Sequence, residues 1–259
     1  MRLFVAITPP RAVLLEVRAA VDTLKRGNAP GVNAMLRWTR PESWHITVAF
    51  YGEVPEGKIE DLSDRLGRVA ARTTPMELSL ASGGRFGPRA LWVGVQGQCD
   101  RLGRLAESTG AAARRCHIRM EDRPYRPHLT LARVRGVPRN VDNQHEPLDL
   151  GPLVDRLRTF RSPGWLAGEV ELLTVVDAGA SVPAGVRGLG TTSGPAGSAG
   201  PAGSGASNGS ASNSVASGPG GPGSSGASGT PADNGIPPIS GGTPAKRYER
   251  VAHWPLTGR

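Results

Sequence analysis

Residues 180–245 contain very few side chains that could contribute to a hydrophobic core. They consist mainly of Gly, Ser, Pro and Ala, and Arg187 and Asp233 carry the only charges. Such a segment cannot bury enough apolar surface to offset the entropy that ordering would remove. We therefore expect residues 180–245 to be a disordered insertion in a single domain made of residues 1–179 and 246–259. The folded part then has about 195 residues, a size at which a domain buries about 70% of its unfolded-chain surface.

The charge of the chain falls almost wholly outside this segment. Lys and Arg number 31 against 22 Asp and Glu, which gives a formal net charge of +9, and most of the cations are arginine. Because the guanidinium pairs bidentately with phosphate, this composition favours a nucleic acid or nucleotide over a membrane surface, for which we would expect an amphipathic basic helix. A GC-rich genome would also explain the arginine excess, so charge does not decide the partner.

Cysteine usage and apolar runs give no sign of secretion, membrane insertion or a metal centre. Cys99 and Cys116 have no zinc-site spacing, and His117 beside Cys116 lacks partner ligands. No stretch approaches the roughly 18 apolar residues of a membrane span, and the first residues do not resemble a signal peptide. We expect a cytoplasmic monomer without metal or cofactor.

Hydrophobic periodicity predicts alternating strands and helices. From residue 11 to residue 25, apolar side chains recur at steps of three and four, as on one face of a helix. Short β-rich runs bounded by Pro and Gly surround it. Strands are expected near 2–7, 36–38, 45–51, 76–80, 90–95, 128–134 and 169–176, and helices near 11–25, 59–69, 101–113 and 150–160. This order predicts an α+β or α/β domain with two similar lobes.

Two matched motifs, His45–Val48 and His128–Leu131, each read histidine, aliphatic, threonine, aliphatic. On a strand, the period of two sends histidine and threonine to one face and the aliphatic residues to the other. Each strand therefore offers an imidazole and a hydroxyl over an apolar backing. If the two strands are neighbours, both pairs converge in one groove.

This set of groups suits the hydrolysis of a phosphodiester. One imidazole can take a proton from water while the other gives a proton to the leaving alkoxide, since the ordinary histidine pKa of about 6.5 allows either form near neutral pH. Threonine hydroxyls can donate to the non-bridging oxygens. No carboxylate cluster accompanies the motifs, which argues against a hard-metal site.

Five segments carry a resemblance to a known family. In order and spacing, the sequence resembles the bacterial and archaeal RNA 2',3'-cyclic phosphodiesterases, also called the 2'-5' RNA ligase family, of the two-histidine (2H) phosphoesterase superfamily. Trp38 before the first motif and Arg126-Pro127 before the second add to the match. The segments are RLFVAI, LRWTRPESWHITVAFYGEV, ALWVGV, YRPHLTLARV and EVELLTVV.

The resemblance implies a bilobal α+β fold with two antiparallel sheets flanked by helices around a central cleft. It implies that His45 donates a proton to the leaving 3'-oxygen, that His128 is the base that activates water, and that the product is a 2'-phosphate. Thr47 and Thr130 would bind the phosphate. Nothing in the residues themselves excludes the reverse assignment of the two histidines.

Further contacts to the substrate remain open. Arg126 and Arg133 flank the second motif and could clamp phosphate, although arginine is abundant throughout the chain. Tyr125 could contact a base or ribose, as could Trp38 and Trp44, but core packing is the better explanation for any one of these aromatic residues. Phe4 and Phe50 are expected in the core by position.

Two other functions fit the same residues. The chain could join RNA ends through a 2'-5' linkage, because the residues alone cannot choose between joining and hydrolysis. It could also bind RNA ends without turnover. The expected partner is RNA with a 2',3'-cyclic phosphate terminus, or a cyclic nucleotide.

The tail differs from the segment before it. Residues 246–256 contain strand-favouring bulk, including Tyr248, Val251 and Trp254. We expect this tail to form a strand that pairs with Glu169–Val176.

Overall fold

The computed structural model describes residues 1–120, 123–135, 148–176 and 247–259. Residues 180–245, the expected insertion, lie outside the described residues. Residues 179 and 246, which border it, lie outside them too. The described part is an α+β fold in which helices pack on a curled antiparallel sheet, so the expected fold class is confirmed. The strands are β1 (Arg2–Ile7), β2 (Leu36–Trp38), β3 (Ile46–Glu53), β4 (Met76–Phe86), β5 (Ala90–Gly97), β6 (His128–Val134), β7 (Trp165–Ala167), β8 (Glu169–Val176) and β9 (Arg247–Pro255). The helices are α1 (Arg11–Arg26), α2 (Pro30–Met35), α3 (Ile59–Arg72), α4 (Cys99–Arg115) and α5 (Gly151–Arg156).

The sheet consists of two halves that meet at the strands carrying the motifs. Its order is β7-β4-β5-β6-β3-β1-β8-β9, with β2 paired to β6. Between β3 and β6 the ladder has one residue pair, Ile46 with Leu129. The two halves correspond to the two expected lobes, and the single pair joins them into one continuous sheet.

Helix α1 shows why the periodic segments fold as expected. Val13, Val17, Val21 and Leu24 are buried along one face, at steps of four and three residues. Pro10 precedes the helix, and Lys25 and Arg26 occupy its last turn, where their charges complement the helix dipole.

The tail forms the predicted strand. Strand β9 pairs antiparallel with the whole of β8, from Glu169 opposite Pro255 to Val176 opposite Arg247. Trp254 is buried in the main hydrophobic cluster. The prediction that the chain returns to this edge of the sheet is therefore confirmed.

One core assignment was wrong. Phe50 is 40% exposed, and the guanidinium of Arg2 lies 5.2 Å from its ring centroid. The ladder between β1 and β3 shifts register twice, so strict alternation fails there and Tyr51 is buried instead. The Tyr51 hydroxyl donates to the carbonyl of Thr109 on α4 at 3.3 Å.

Candidate active site

The two motifs lie on adjacent strands. His45 immediately precedes β3, and His128 is the first residue of β6. Ile46 and Leu129, which pair across the junction, are both fully buried, so the residues beside them project from the opposite face. The condition set by the sequence is met, because the two strands are neighbours and the histidine and threonine of each motif project from the face opposite Ile46 and Leu129.

Both imidazoles are held by the same local hydrogen bond. The Nδ1 of His45 lies 2.9 Å from the carbonyl oxygen of Ser43, and the Nδ1 of His128 lies 2.7 Å from that of Arg126. A carbonyl oxygen only accepts, so Nδ1 carries the hydrogen in each ring. The Nε2 atoms are thereby left to exchange protons with a ligand, as an acceptor when the ring is neutral and as a donor when it is charged.

Aromatic rings fix the plane of His45. Its ring centroid lies 4.9 Å from that of Phe4 on β1 and 5.0 Å from that of Tyr248 on β9, the latter at right angles. Phe4 packs in a small cluster with Ala6 and Leu173 that is separate from the main core. The cleft wall on this side is therefore apolar, and the final strand supplies part of it.

A second aromatic pair holds His128. Phe86 at the end of β4 lies 4.7 Å from the imidazole edge-on, and Trp92 on β5 lies 5.9 Å away. The Trp92 ring occupies the space above Gly84, where a Cβ atom would come within 2.1 Å of it. Glycine at this position allows the indole to reach His128.

Burial controls the protonation of the two rings. The pKa of His45 is lowered from 6.5 to about 4, chiefly by burial and also by His128 and Arg133, while the hydrogen bond to Ser43 and the charge of Glu171 act in the opposite direction. Burial also lowers the pKa of His128, with Arg133 acting in the same direction. Both rings are therefore neutral in the free protein at pH 7.

Thr47 and Thr130 are the threonines expected to bind the phosphate. Thr47 and Thr130 are half-buried, and neither hydroxyl has a hydrogen-bond partner among the described residues. The Tyr125 hydroxyl donates to the backbone carbonyl of Thr47 at 3.2 Å, and burial raises the pKa of Tyr125, so the donor stays protonated. Tyr125 thus connects the segment before the second motif to the first.

The two candidate arginines differ in placement. Arg126 contributes its backbone carbonyl to His128, whereas the charge of Arg133 acts on both imidazoles. The charge of Arg133, and not that of Arg126, is among the causes that lower the pKa of the two imidazoles.

Glu171 is a cleft residue that the motifs did not predict. It accepts a hydrogen bond from Thr8 at 2.6 Å and from Arg250 at 3.0 Å, and its charge reaches His45. Alternation in β8 could have indicated it, since Val170 and Leu172 on either side are buried and Glu171 must face the other way. Across the described ranges, no three His, Cys, Asp or Glu side chains converge as metal ligands would, and no helix is long and apolar enough to cross a membrane.

Comparison with known proteins agrees with this geometry. The sequence model of the LigT-like phosphoesterases matches residues 7–92 and 93–165, which is more than half of the chain. The chain belongs to the LigT-like phosphoesterase family. Relatives within the family confirm the resemblance seen in the motifs. One is an RNA 2',3'-cyclic phosphodiesterase of Archaeoglobus fulgidus, 33% identical over 139 residues that make up 52% of this chain and 73% of the relative.

Two further family matches differ in coverage. An RNA 2',3'-cyclic phosphodiesterase of Methanothermobacter thermautotrophicus is 30% identical over 176 residues, which cover 66% of this chain and 88% of the relative. One from Geobacillus stearothermophilus is 36% identical over 122 residues, 46% of this chain but only 38% of that protein. The crystal structure of TT0787 of Thermus thermophilus superposes with a TM-score of 0.50 at 25% identity, over 68% of this chain and 89% of that chain.

Proposed function

We propose that this protein hydrolyses RNA ends that carry a 2',3'-cyclic phosphate and releases a 2'-phosphomonoester. The main support for this proposal is the pair of imidazoles of His45 and His128. Each Nδ1–H is held by a backbone carbonyl, each Nε2 is available to the cleft, and the two motifs adjoin through Ile46 and Leu129. Family membership and the names of the relatives support the same chemistry.

The proposed reaction needs two proton transfers and no metal. Water attacks phosphorus while Nε2 of His128 accepts a proton from that water. The bond from phosphorus to the 3'-oxygen breaks, and Nε2–H of His45 gives its proton to that oxygen. The products are a free 3'-hydroxyl and a 2'-phosphomonoester. Thr47 and Thr130, whose hydroxyls have no partner among the described residues, donate to the non-bridging oxygens.

The electrostatics give a reason to assign the acid to His45. Of the two rings, His45 has a carboxylate among its electrostatic neighbours, Glu171, and a negative charge stabilises the imidazolium. Burial opposes this in the free protein, so the anionic phosphate must supply the remaining stabilisation when it binds. Arg133 and the threonines would then position that phosphate.

Two other outcomes are distinguishable by product. End joining would follow the same path with an RNA 5'-hydroxyl in place of water, and would give a longer RNA with a 2'-5' linkage. A binding module would give no product at all. Hydrolysis is favoured because water is present in excess over any RNA 5'-hydroxyl. A monomeric state and a cytoplasmic location stay predictions from the sequence.

The test is an incubation of the full chain with a short RNA ending in a 2',3'-cyclic phosphate, with the monoester identified by phosphorus NMR. His45→Ala and His128→Ala should each abolish hydrolysis while RNA affinity is largely kept. His117→Asn is the matched control, because His117 is exposed with a φ of 53° that asparagine tolerates. A 3'-monoester, a ligated product, or hydrolysis that survives in both histidine variants would contradict the proposal.

A further inference from the structure

A groove lined by arginines lies between helices α3 and α4, on the far side of the sheet from the histidines. Its volume is about 680 Å³. The helices cover the face that carries Ile46 and Leu129, whereas the histidines project from the other face. The groove is therefore separate from the catalytic cleft. Six arginines line it: Arg65, Arg68, Arg72, Arg101, Arg104 and Arg115.

Over the described residues, the positive charge in this groove exceeds the negative charge that is paired with it. Among the side chains that line it there is no carboxylate. Arg65 is paired with Asp61 at 2.9 Å, and Arg101 donates to the carbonyl of Pro75 at 2.8 Å, so these two side chains are fixed in place. The other four have no ion pair within the described part of the chain. Like charges gathered in one concave surface destabilise the fold unless an anion binds there.

The spacing of the arginines suits an extended anion. Arg101 and Arg115 are separated by 14 residues of helix α4, which is about 21 Å at 1.5 Å per residue. A single phosphate group would contact only one end of such a groove. A polynucleotide strand, whose phosphates rise by about 3.4 Å per nucleotide along the axis of a duplex, could contact its whole length. The groove has no exposed apolar face of the kind that an interfacial membrane helix uses.

We propose that the groove between α3 and α4 binds the phosphate backbone of RNA, away from the end that the histidines hold. This inference rests on the proposed function for the identity of the polyanion. The groove would bind the body of a long RNA without reading its sequence, since guanidinium contacts to phosphate fix position and not base identity. Cyclic mononucleotides would not reach it and would be hydrolysed independently of it.

The test compares two triple variants of the full chain. The groove variant is Arg68→Ala with Arg72→Ala and Arg104→Ala. The control is Arg11→Ala with Arg18→Ala and Arg26→Ala, three exposed arginines of helix α1 that change the net charge equally. Affinity for a labelled single-stranded RNA of about 20 nucleotides with a plain 3'-hydroxyl is measured over a salt series. Because each lost phosphate contact reduces the log–log salt slope by about 0.7, the groove variant should lose about 2 from the slope.

The control should keep the slope of the unmodified protein, and both variants should hydrolyse a nucleoside 2',3'-cyclic phosphate at the unmodified rate. Equal loss of slope in the two variants would overturn the proposal, because it would mean that the overall field of the protein attracts RNA. Competition by ATP as effective as by RNA would also overturn it, in favour of a compact anion site. If the groove variant lost binding to anionic phospholipid vesicles while its RNA affinity stayed unchanged, that result would also overturn the proposal. Since the binding assay needs no turnover, absence of hydrolysis in the unmodified protein would overturn the proposed function and not the groove.

Discussion

His45 should make the fold sensitive to mild acid, and replacing it by asparagine should remove that sensitivity. Burial lowers the pKa of this ring from 6.5 to about 4. Between these two pH values the unfolded chain binds a proton that the folded chain does not, so the free energy of unfolding rises with pH and is lost as pH falls. Asparagine is the informative substitution, because its amide can still donate to the Ser43 carbonyl but does not titrate.

The expected size follows from these pKa values. On going from pH 7 to pH 5 the unfolded imidazole becomes mostly protonated and the folded one stays neutral, a difference of about 2 kcal/mol. The ring is half-buried, so solvent screening from the cleft reduces this toward about 1 kcal/mol. The carboxylates and His128 are present in both proteins.

The assay is urea unfolding of the unmodified protein and His45→Asn at pH 7 and pH 5 and constant ionic strength. The unmodified protein should lose about 1 to 2 kcal/mol more than His45→Asn on acidification, with unchanged m-values. His117→Asn, an exposed histidine variant, should follow the unmodified protein. Parallel losses in the unmodified protein and His45→Asn would refute the reasoning, because they would show that the ring protonates as readily in the folded protein as in the unfolded one.

Four further predictions concern activity. Because both histidine pKa values are lowered, kcat/KM for a cyclic phosphate should peak on the acid side of pH 6.5. Above the higher of the two apparent pKa values, kcat/KM should fall about tenfold per pH unit. A flat profile from pH 5 to pH 9 would exclude the two-histidine mechanism. Thr47→Ala and Thr130→Ala should each lower kcat by about 10²-fold, less than either histidine change, and an equal loss would show that the hydroxyl has a larger role. Gly84→Ala should lower kcat, because the added Cβ would displace Trp92 against His128. At Gly103 an added Cβ meets nothing within 4 Å, so Gly103→Ala should leave kcat unchanged and stabilise helix α4 by up to about 1 kcal/mol. Excess chelator should leave the rate unchanged, and a loss that zinc or magnesium restores would contradict proton transfer by imidazoles alone.

Local patterns were enough to predict much of the fold. Strands β1, β6 and β8 begin and end where alternation and Pro or Gly boundaries placed them, at 2–7, 128–134 and 169–176. The same alternation placed histidine and threonine on one face of each motif strand. These features depend on neighbours in sequence, so sequence reasoning recovers them.

Features that depend on pairing between distant strands were not predicted. Strand β4 runs on to Phe86 through a register shift near Ser82, whose φ is 55°, and this irregular stretch has no strand-like pattern in sequence. Tyr248 reaches His45 only because β9 pairs with β8 and β8 pairs with β1. Helix α2 and the three-residue strand β7 are too short to give a periodic signal.

The arginine groove was not predicted from the sequence for a related reason. Its six guanidinium groups come from two helices whose sequences show only ordinary amphipathic faces. Packing of α3 against α4 brings the polar faces together, and no pattern within either helix indicates which exposed arginines will meet.

Strand β9 is covalently distant from the cleft that it completes. Eight residue pairs hold it to β8, and it places Tyr248 against His45, yet it joins the sheet through the 70 residues numbered 177–246. In this respect β9 resembles a peptide ligand that is joined covalently to its receptor, so that its docking is an intramolecular step. A single cut of the chain between β8 and β9 would turn docking of β9 into a bimolecular equilibrium. The contact of the Tyr248 ring with His45 would then depend on the concentration of the peptide that contains β9. This dependence would make the protein a natural starting point for a split enzyme.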